Sequence, residues 1–301
     1  MMLRSLVSAV SVLTLSLSGT TPAAATGVGA VFPTLQHNLV AHYDFEHAAG
    51  AVERDQGRSG TDIALLNGAP RVRDGFRHAL QVRQQNPGGD WKAGVYDADG
   101  VSTMDAFTSA REATVMGWFK MTGANPSPNT NTPDPADYYN AVGLAGVLTG
   151  DSDGHAVRAL LEVIAVNGEL KVVALGRRVD GGASQTFAAS APWQEVLPVG
   201  EWVFLAATFN FDNGKMALYR NGKALPGFYT ITGDPWELAG DPEPDRTTAV
   251  DSRGIKIGGS FPQNTREQNP CDCRMDELMF LNRVITPTEI WLQYNWARAR
   301  V

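Results

Sequence analysis

Leu160-Leu161-Glu162-Val163-Ile164-Ala165-Val166, followed by Asn167-Gly168 and then by Glu169-Leu170-Lys171-Val172-Val173-Ala174-Leu175, is the stretch that decides the fold class. Two apolar runs of strand length flank a dipeptide that readily adopts the positive φ angles of a two-residue hairpin turn. Asn-Gly recurs at Asn67-Gly68, Asn213-Gly214 and Asn221-Gly222, and Asp212-Asn213-Gly214 separates the apolar runs Trp202 to Phe209 and Met216 to Tyr219. Further short runs cover Leu39 to Phe45, Thr114 to Met121, Ile255 to Ile257 and Met275 to Leu281. None shows the 3.6-residue period of a helix, so the chain reads as antiparallel and all-β. The run from Trp202 is apolar at successive positions, which places it centrally in a two-layer sandwich, buried on either side. Only the far end reads as helical. Thr286-Pro287-Thr288-Glu289 matches a capping box with proline at the first helical position, and Ile290, Trp291 and Tyr294 follow as a core-facing stripe.

Composition agrees with many short strands and narrows the class. The 301 residues include 31 glycines, 17 prolines, 7 tryptophans and 2 cysteines, too few cysteines for a disulfide scaffold and enough chain for a sizeable core. Charged residues make up 19%, and 32 acidic against 25 basic side chains give a formal charge of -7. Such a balance excludes a disordered polyelectrolyte and a basic nucleic-acid binder, since phosphate binding needs a concentrated positive field. At the N-terminus Arg4 precedes an apolar run from Leu6 to Leu17 and then Thr21-Pro22-Ala23-Ala24-Ala25, the pattern of a signal peptide cleaved after Ala25. A second apolar stretch of spanning length is missing, so a secreted mature chain without membrane insertion is expected. Residues 26–37 form a lead-in, and no linker or repeat divides residues 38–301, which are expected to form one monomeric domain.

Several segments then resemble a known family in register. Val40-Ala41-His42-Tyr43-Asp44-Phe45-Glu46, Asp55 to Asp62, and Gly75-Phe76-Arg77-His78-Ala79-Leu80 look like the opening of a laminin-G-like domain of the concanavalin A-like superfamily. Ala113 to Phe119 is similar to its tryptophan-bearing strand, Glu201 to Phe209 to its central strand and Lys215 to Gly222 to the hairpin that follows. Arg274-Met275-Asp276-Glu277-Leu278, Asn282-Arg283 and Thr286 to Ile290 resemble its last strand and short helix. The resemblance implies an antiparallel two-sheet jelly-roll sandwich with a short C-terminal helix.

The same resemblance implies calcium at the sandwich rim, held by carboxylates and loop carbonyls. Asp55 and Asp276 are the candidate ligands, with Asp44 as a third. The loop departs from the family pattern at Arg58 and Ser59, where a glycine and an asparagine are commoner, and the acidic residues also suit an ordinary turn in which Asp bonds its own backbone. Trp91, Tyr138, Tyr139, Trp193 and Trp236 lie outside the strand cores and are candidates for stacking on a sugar face. Cys271 and Cys273 can close a small ring or remain free in an oxidising compartment.

Catalytic patterns are thin. No Glu-x-Asp-x-x-Glu strand occurs, Asp241-Pro242-Glu243-Pro244-Asp245 is a proline-broken loop, and the histidines His37, His42, His47, His78 and His155 lack the partner pattern of a lyase. The expectation is therefore a secreted, non-catalytic domain that binds a polysaccharide or glycoconjugate, with calcium as candidate cofactor. A polysaccharide lyase or glycoside hydrolase with a groove under the insert from Gly123 to Asn140 is the first alternative. An extracellular adhesion or protein-interaction module is the second.

Overall fold

In the hairpin around Asn167-Gly168, Leu161 and Val163 face one way and Leu160, Glu162 and Ile164 the other, and this alternation runs through two stacked sheets. The computed structural model describes residues 30–47, 50–65, 70–82, 95–97, 107, 110–123, 141–149, 157–177, 184–231, 238–239, 252–258 and 271–298. Its strands are β1 (Leu39–Tyr43), β2 (Val52–Glu53), β3 (Ile63–Leu65), β4 (Arg71–Asp74), β5 (Arg77–Val82), β6 (Val95–Asp97), β7 (Glu112–Met121), β8 (Ala141–Thr149) and β9 (Val157–Val166). They continue with β10 (Glu169–Arg177), β11 (Ser184–Ala189), β12 (Val203–Asn210), β13 (Lys215–Arg220), β14 (Lys223–Ala224), β15 (Gly227–Ile231), β16 (Leu238–Ala239), β17 (Ser252–Ile257) and β18 (Cys273–Leu281). Two α-helices, α1 (Trp193–Val196) and α2 (Pro287–Ala297), and a 3-10 turn at Pro33–Leu35 complete the described elements.

One sheet of eight strands runs β14-β13-β12-β7-β18-β5-β4, with β1 also paired to β18. The other, of ten, runs β16-β15-β11-β10-β9-β8-β17-β6-β3-β2. Between them lies the main core, where Val115 and Phe119 of β7, Leu205 and Phe209 of β12 and Phe280 of β18 meet Val142, Leu161, Val163, Val172 and Ile255 of the opposite sheet. β12 is buried on both faces, as its continuous apolar sequence requires. Its alternate residues Phe204 and Ala206 pack with Met116 and Trp118 beneath α2.

The helix has the capping box read from sequence: Glu289 N donates to Thr286 Oγ1 at 3.2 Å and Thr286 N donates to Glu289 Oε2 at 2.8 Å. Its buried stripe is different from the expected one. Ile290 and Gln293 face the sheet, whereas Trp291 is 50% exposed, because it lies one step of about 100° beyond Ile290 on the helix. The lead-in also belongs to the domain from residue 30 onward. Val31 and Leu35 are buried in the layer under α2, Phe32 N donates to Gln293 Oε1 at 2.7 Å, and Gln293 Nε2 donates to the Ala30 carbonyl at 2.7 Å. That layer needs apolar cover on the outer side of β7, β12 and β18, and the lead-in and α2 supply it together.

β18 carries the join that positions the rim. One edge pairs with β7 along its length, while the other pairs with β5 through Cys273 to Met275 and with β1 through Leu278 to Leu281. A bulge between Asp276 and Met279 separates the two partners, and Glu277 adopts φ 51°, the left-handed region that costs a non-glycine residue roughly 1–2 kcal/mol. Gly117 on β7 accommodates the bulge, since a Cβ there would lie 2.5 Å from Leu278 Cδ2 and 3.2 Å from Leu278 Cα. From the bulge the Glu277 side chain binds one residue of each partner strand: His42 Nε2 of β1 at 2.6 Å, and Arg77 Nη2 of β5. Cys271 and Cys273, at the start of this strand, are joined as a disulfide.

Two stability outcomes follow from the bulge. Gly117→Ala loses about 1–3 kcal/mol to overpacking, read by urea denaturation. Glu277→Ala loses about 3–5 kcal/mol, because it removes the carboxylate that joins His42 to Arg77 and leaves a buried gap, with Arg77 keeping Glu46 and Asp276.

Candidate functional site

The outer face of the ten-stranded sheet holds three buried polar groups with an atom that folding leaves unanswered. β9 presents Leu160, Glu162, Ile164 and Val166 there, β10 presents Val173 and Leu175, β11 presents Thr186 and Ala188, and β15 presents Phe228 and Thr230. Register sets two rows across the strands. Gly146, Leu160, Leu175, Thr186 and Thr230 form one row, and Gly143, Glu162, Val173, Ala188 and Phe228 form the next. With strands about 4.8 Å apart, Glu162 and the Thr186–Thr230 pair lie roughly two to three strand spacings from each other across an aliphatic strip.

Glu162 is only 3% exposed, and its Oε1 has no hydrogen-bond partner. The Oγ1 atoms of Thr186 and Thr230 are equally buried and equally unpaired. Orphaned buried polar atoms are uncommon, each costing about 1–3 kcal/mol, so three on one sheet face form a cluster with capacity to bind something. Burial pushes the Glu162 carboxyl up to about 8, so at neutral pH it is a neutral acid that can donate a hydrogen bond as well as accept one. Sequence reading missed these residues. An isolated glutamate inside an apolar strand is the signal that was available, but alternation alone cannot tell a covered outer face from a solvated one.

The acidic candidates sit elsewhere, each with bonding partners of its own. Asp55 is consumed by its own loop: Oδ1 accepts from His42 N at 2.8 Å and Gly57 N at 2.6 Å, and Oδ2 accepts from Thr61 N at 3.2 Å and from Ser59 Oγ. The loop is laid along β1, where Ser59 N donates to the Val40 carbonyl at 3.0 Å and Arg58 Nε to the Leu39 carbonyl at 3.0 Å. Asp276 is buried with Arg77 Nε 3.7 Å away, and its Oδ1 accepts from Glu277 N at 2.8 Å. Burial and the neighbouring Glu277 raise the Asp276 carboxyl well above its usual range, with Arg77 only partly offsetting them. Burial acts on Glu277 in the same direction, but its bonds to His42 and Arg77 outweigh it and hold that carboxyl low.

Asp44 has different company. Among the described residues, Asp44, His47 and Glu53 form a group whose ligand atoms all lie within 4.8 Å of one another, an arrangement that can hold a metal ion. Calcium itself does not fit this rim. The group mixes an imidazole nitrogen with two carboxylates where calcium favours oxygen throughout, and Arg71 Nε already donates to Glu53 Oε2 at 2.7 Å. Asp55 and Asp276 lie outside the group, engaged as described.

Of the aromatic candidates, Trp193 is placed in α1 and is 2% exposed within the main core. It offers no ring face to a ligand, because the single helical turn after Pro192 directs the indole inward. Trp91, Tyr138, Tyr139 and Trp236 lie outside the described residues.

Comparison with known proteins agrees with this architecture. A family profile described as the concanavalin A-like lectin/glucanases superfamily, of laminin-G type, matches residues 93–291, well over half of the chain. The chain belongs to that superfamily. No curated protein matches its sequence. Among solved structures, Trypanosoma rangeli sialidase in complex with 2,3-difluoro-KDN is similar with a TM-score of 0.54 and 13% identity, over 88% of this chain and 33% of the sialidase chain. The binding domain of botulinum neurotoxin DC, in complex with rat synaptotagmin II, is similar with a TM-score of 0.57 and 9% identity, over 87% of this chain and 52% of that chain. The binding domain of Paraclostridial mosquitocidal protein 1 gives 0.55 and 12%, over 87% and 52%. The chain thus spans about a third to a half of these structures, and at such identities the likeness is one of fold. No helix among the described residues is long and apolar enough to cross a membrane.

Glu162 makes stability depend on pH with a definite sign. An unfolded glutamate ionises near 4.5 and the folded one near 8, so between these values the native state binds the extra proton and stability falls as pH rises. The fall is about 1.4 kcal/mol per pH unit at its steepest and ends above about pH 8. Glu162→Gln, which cannot ionise, is expected to flatten this slope in denaturation curves taken from pH 5 to 9.

Proposed function

We propose that this chain is a secreted, non-catalytic domain that binds a carbohydrate or glycoconjugate on the outer face of the ten-stranded sheet. The supporting observation is the cluster of unpaired buried polar atoms, Glu162 Oε1, Thr186 Oγ1 and Thr230 Oγ1, set around the aliphatic strip of Leu160, Val173 and Leu175. A saccharide matches such a face. Its hydroxyls donate and accept in the way that threonine hydroxyls and a neutral carboxyl require, and its C–H faces cover aliphatic groups and an aromatic ring such as Phe228. Superfamily membership and structures of similar fold support the class: a sialidase of similar fold is seen with 2,3-difluoro-KDN. The toxin domain seen with synaptotagmin II makes a protein partner carrying a glycan a reasonable target as well.

The polysaccharide-degrading alternative rests on Glu162 too, since a buried carboxyl with a raised pKa has the character of a general acid. Hydrolysis of a glycosidic bond ordinarily uses a second carboxylate about 5–9.5 Å away, and among the described residues of this face Glu162 is the carboxyl present. Binding without chemistry is therefore preferred.

A glycan array followed by calorimetry tests the proposal. The expected result is saturable binding that weakens at least tenfold in Thr186→Val/Thr230→Val and falls as pH is raised past about 8, where Glu162 ionises. Absence of binding to any saccharide rejects it, and release of reducing ends or unsaturated sugars by wild type but not by Glu162→Gln replaces it with the enzyme reading.

A further inference from the structure

A buried carboxylate needs a positive charge beside it, because an unpaired ion in the interior costs several kcal/mol. At this rim the charge is built into the chain. Glu53 lies on β2, at one edge of the ten-stranded sheet, and Arg71 lies on β4, at the edge of the eight-stranded sheet. Arg71 Nε donates to the wholly buried Glu53 Oε2 at 2.7 Å, Nη1 donates to the Gly50 carbonyl at 3.0 Å, and Nη2 donates to the Val52 carbonyl. The Glu53 carboxylate and the backbone carbonyls of Gly50 and Val52 converge on this guanidinium. Those are the oxygen types that a hard divalent cation collects, here met by a planar fork of N–H donors.

Arg77 does the same a short way along the rim. Its Nε lies 2.9 Å from Glu46 Oε1 and 3.7 Å from Asp276 Oδ2, and its Nη2 binds Glu277. Asp55, another candidate ligand, has both oxygens bonded to its own loop and to His42 N. A divalent ion entering beside Arg71 would meet repulsion of several kcal/mol at a separation of about 4 Å.

We infer that Arg71 takes the place of a divalent cation at the rim, cross-linking the edges of the two sheets through Glu53 and the Gly50 and Val52 carbonyls, so that the domain is ordered independently of calcium. This inference stands apart from the carbohydrate reading, and its test uses no glycan. Thermal melting and calorimetry are run on the full chain with EDTA, with millimolar calcium chloride, and with sodium chloride at matched ionic strength. Wild type is expected to give one melting temperature in all three and no saturable heat with calcium. Arg71→Met, which keeps the aliphatic stem and removes the donors, is expected to melt several degrees lower and to recover part of the loss with calcium but not with sodium.

Calcium that binds wild type saturably, or raises its melting temperature, overturns the inference. So does a loss in Arg71→Met that calcium leaves untouched, because the guanidinium would then be only a structural donor. Should Arg71→Met fail to fold, Arg71→Lys retains the charge and is expected to stay indifferent to calcium; stabilisation of that variant by calcium overturns the inference as well.

Discussion

The sandwich depends on one strand serving three partners. β18 can pair with β7 on one side and with both β5 and β1 on the other only if its ladder breaks between them, and the bulge at Asp276 and Glu277 is that break. A break in a buried ladder exposes backbone and twists the strand, so the site must be over-determined by its surroundings. Gly117 supplies the room, and the Glu277 carboxylate, joined to His42 and Arg77, ties the two partner strands to the bulge that separates them. The acidic pair in the last strand is therefore first a structural clamp. Its burial, and the guanidinium beside it, explain why it is poorly suited to hold a metal ion.

The two faces of the molecule are resolved differently. Over the eight-stranded sheet, apolar residues are covered by α2 and the lead-in segment, with Tyr294 5.7 Å from Trp118 and Gln293 bonding the chain near residue 30. Gln293 has both ends of its amide bonded there, while the Trp118 indole N–H is buried without a partner. Over the ten-stranded sheet the apolar strip is interrupted by Glu162, Thr186 and Thr230, whose demands are not met. Such groups cost stability, and a neutral glutamic acid among aliphatic side chains keeps the capacity both to donate and to accept a hydrogen bond. The rim shows the opposite economy, with each of Glu53, Asp55 and Glu277 provided with donors from the chain itself.

The strand runs, the Asn167-Gly168 turn, the burial of β12 on both faces and the capping box at Thr286 were all determined by local sequence, because period, turn chemistry and capping act over a few residues. So was the family resemblance, which depends on the order of such pieces. Tertiary structure decided the rest. Whether Asp55 faces an ion or its own loop, whether Trp193 points outward or into the core, and whether Glu162 is solvated or buried without a partner depend on what the chain brings back from far along the sequence. Arg71 meeting Glu53 across two sheet edges, and Glu277 meeting His42 from 235 residues away, are contacts of that kind. Local pattern states which residues are apolar and where the chain turns. Only the packing of one sheet on the other states which buried polar groups find partners and which do not.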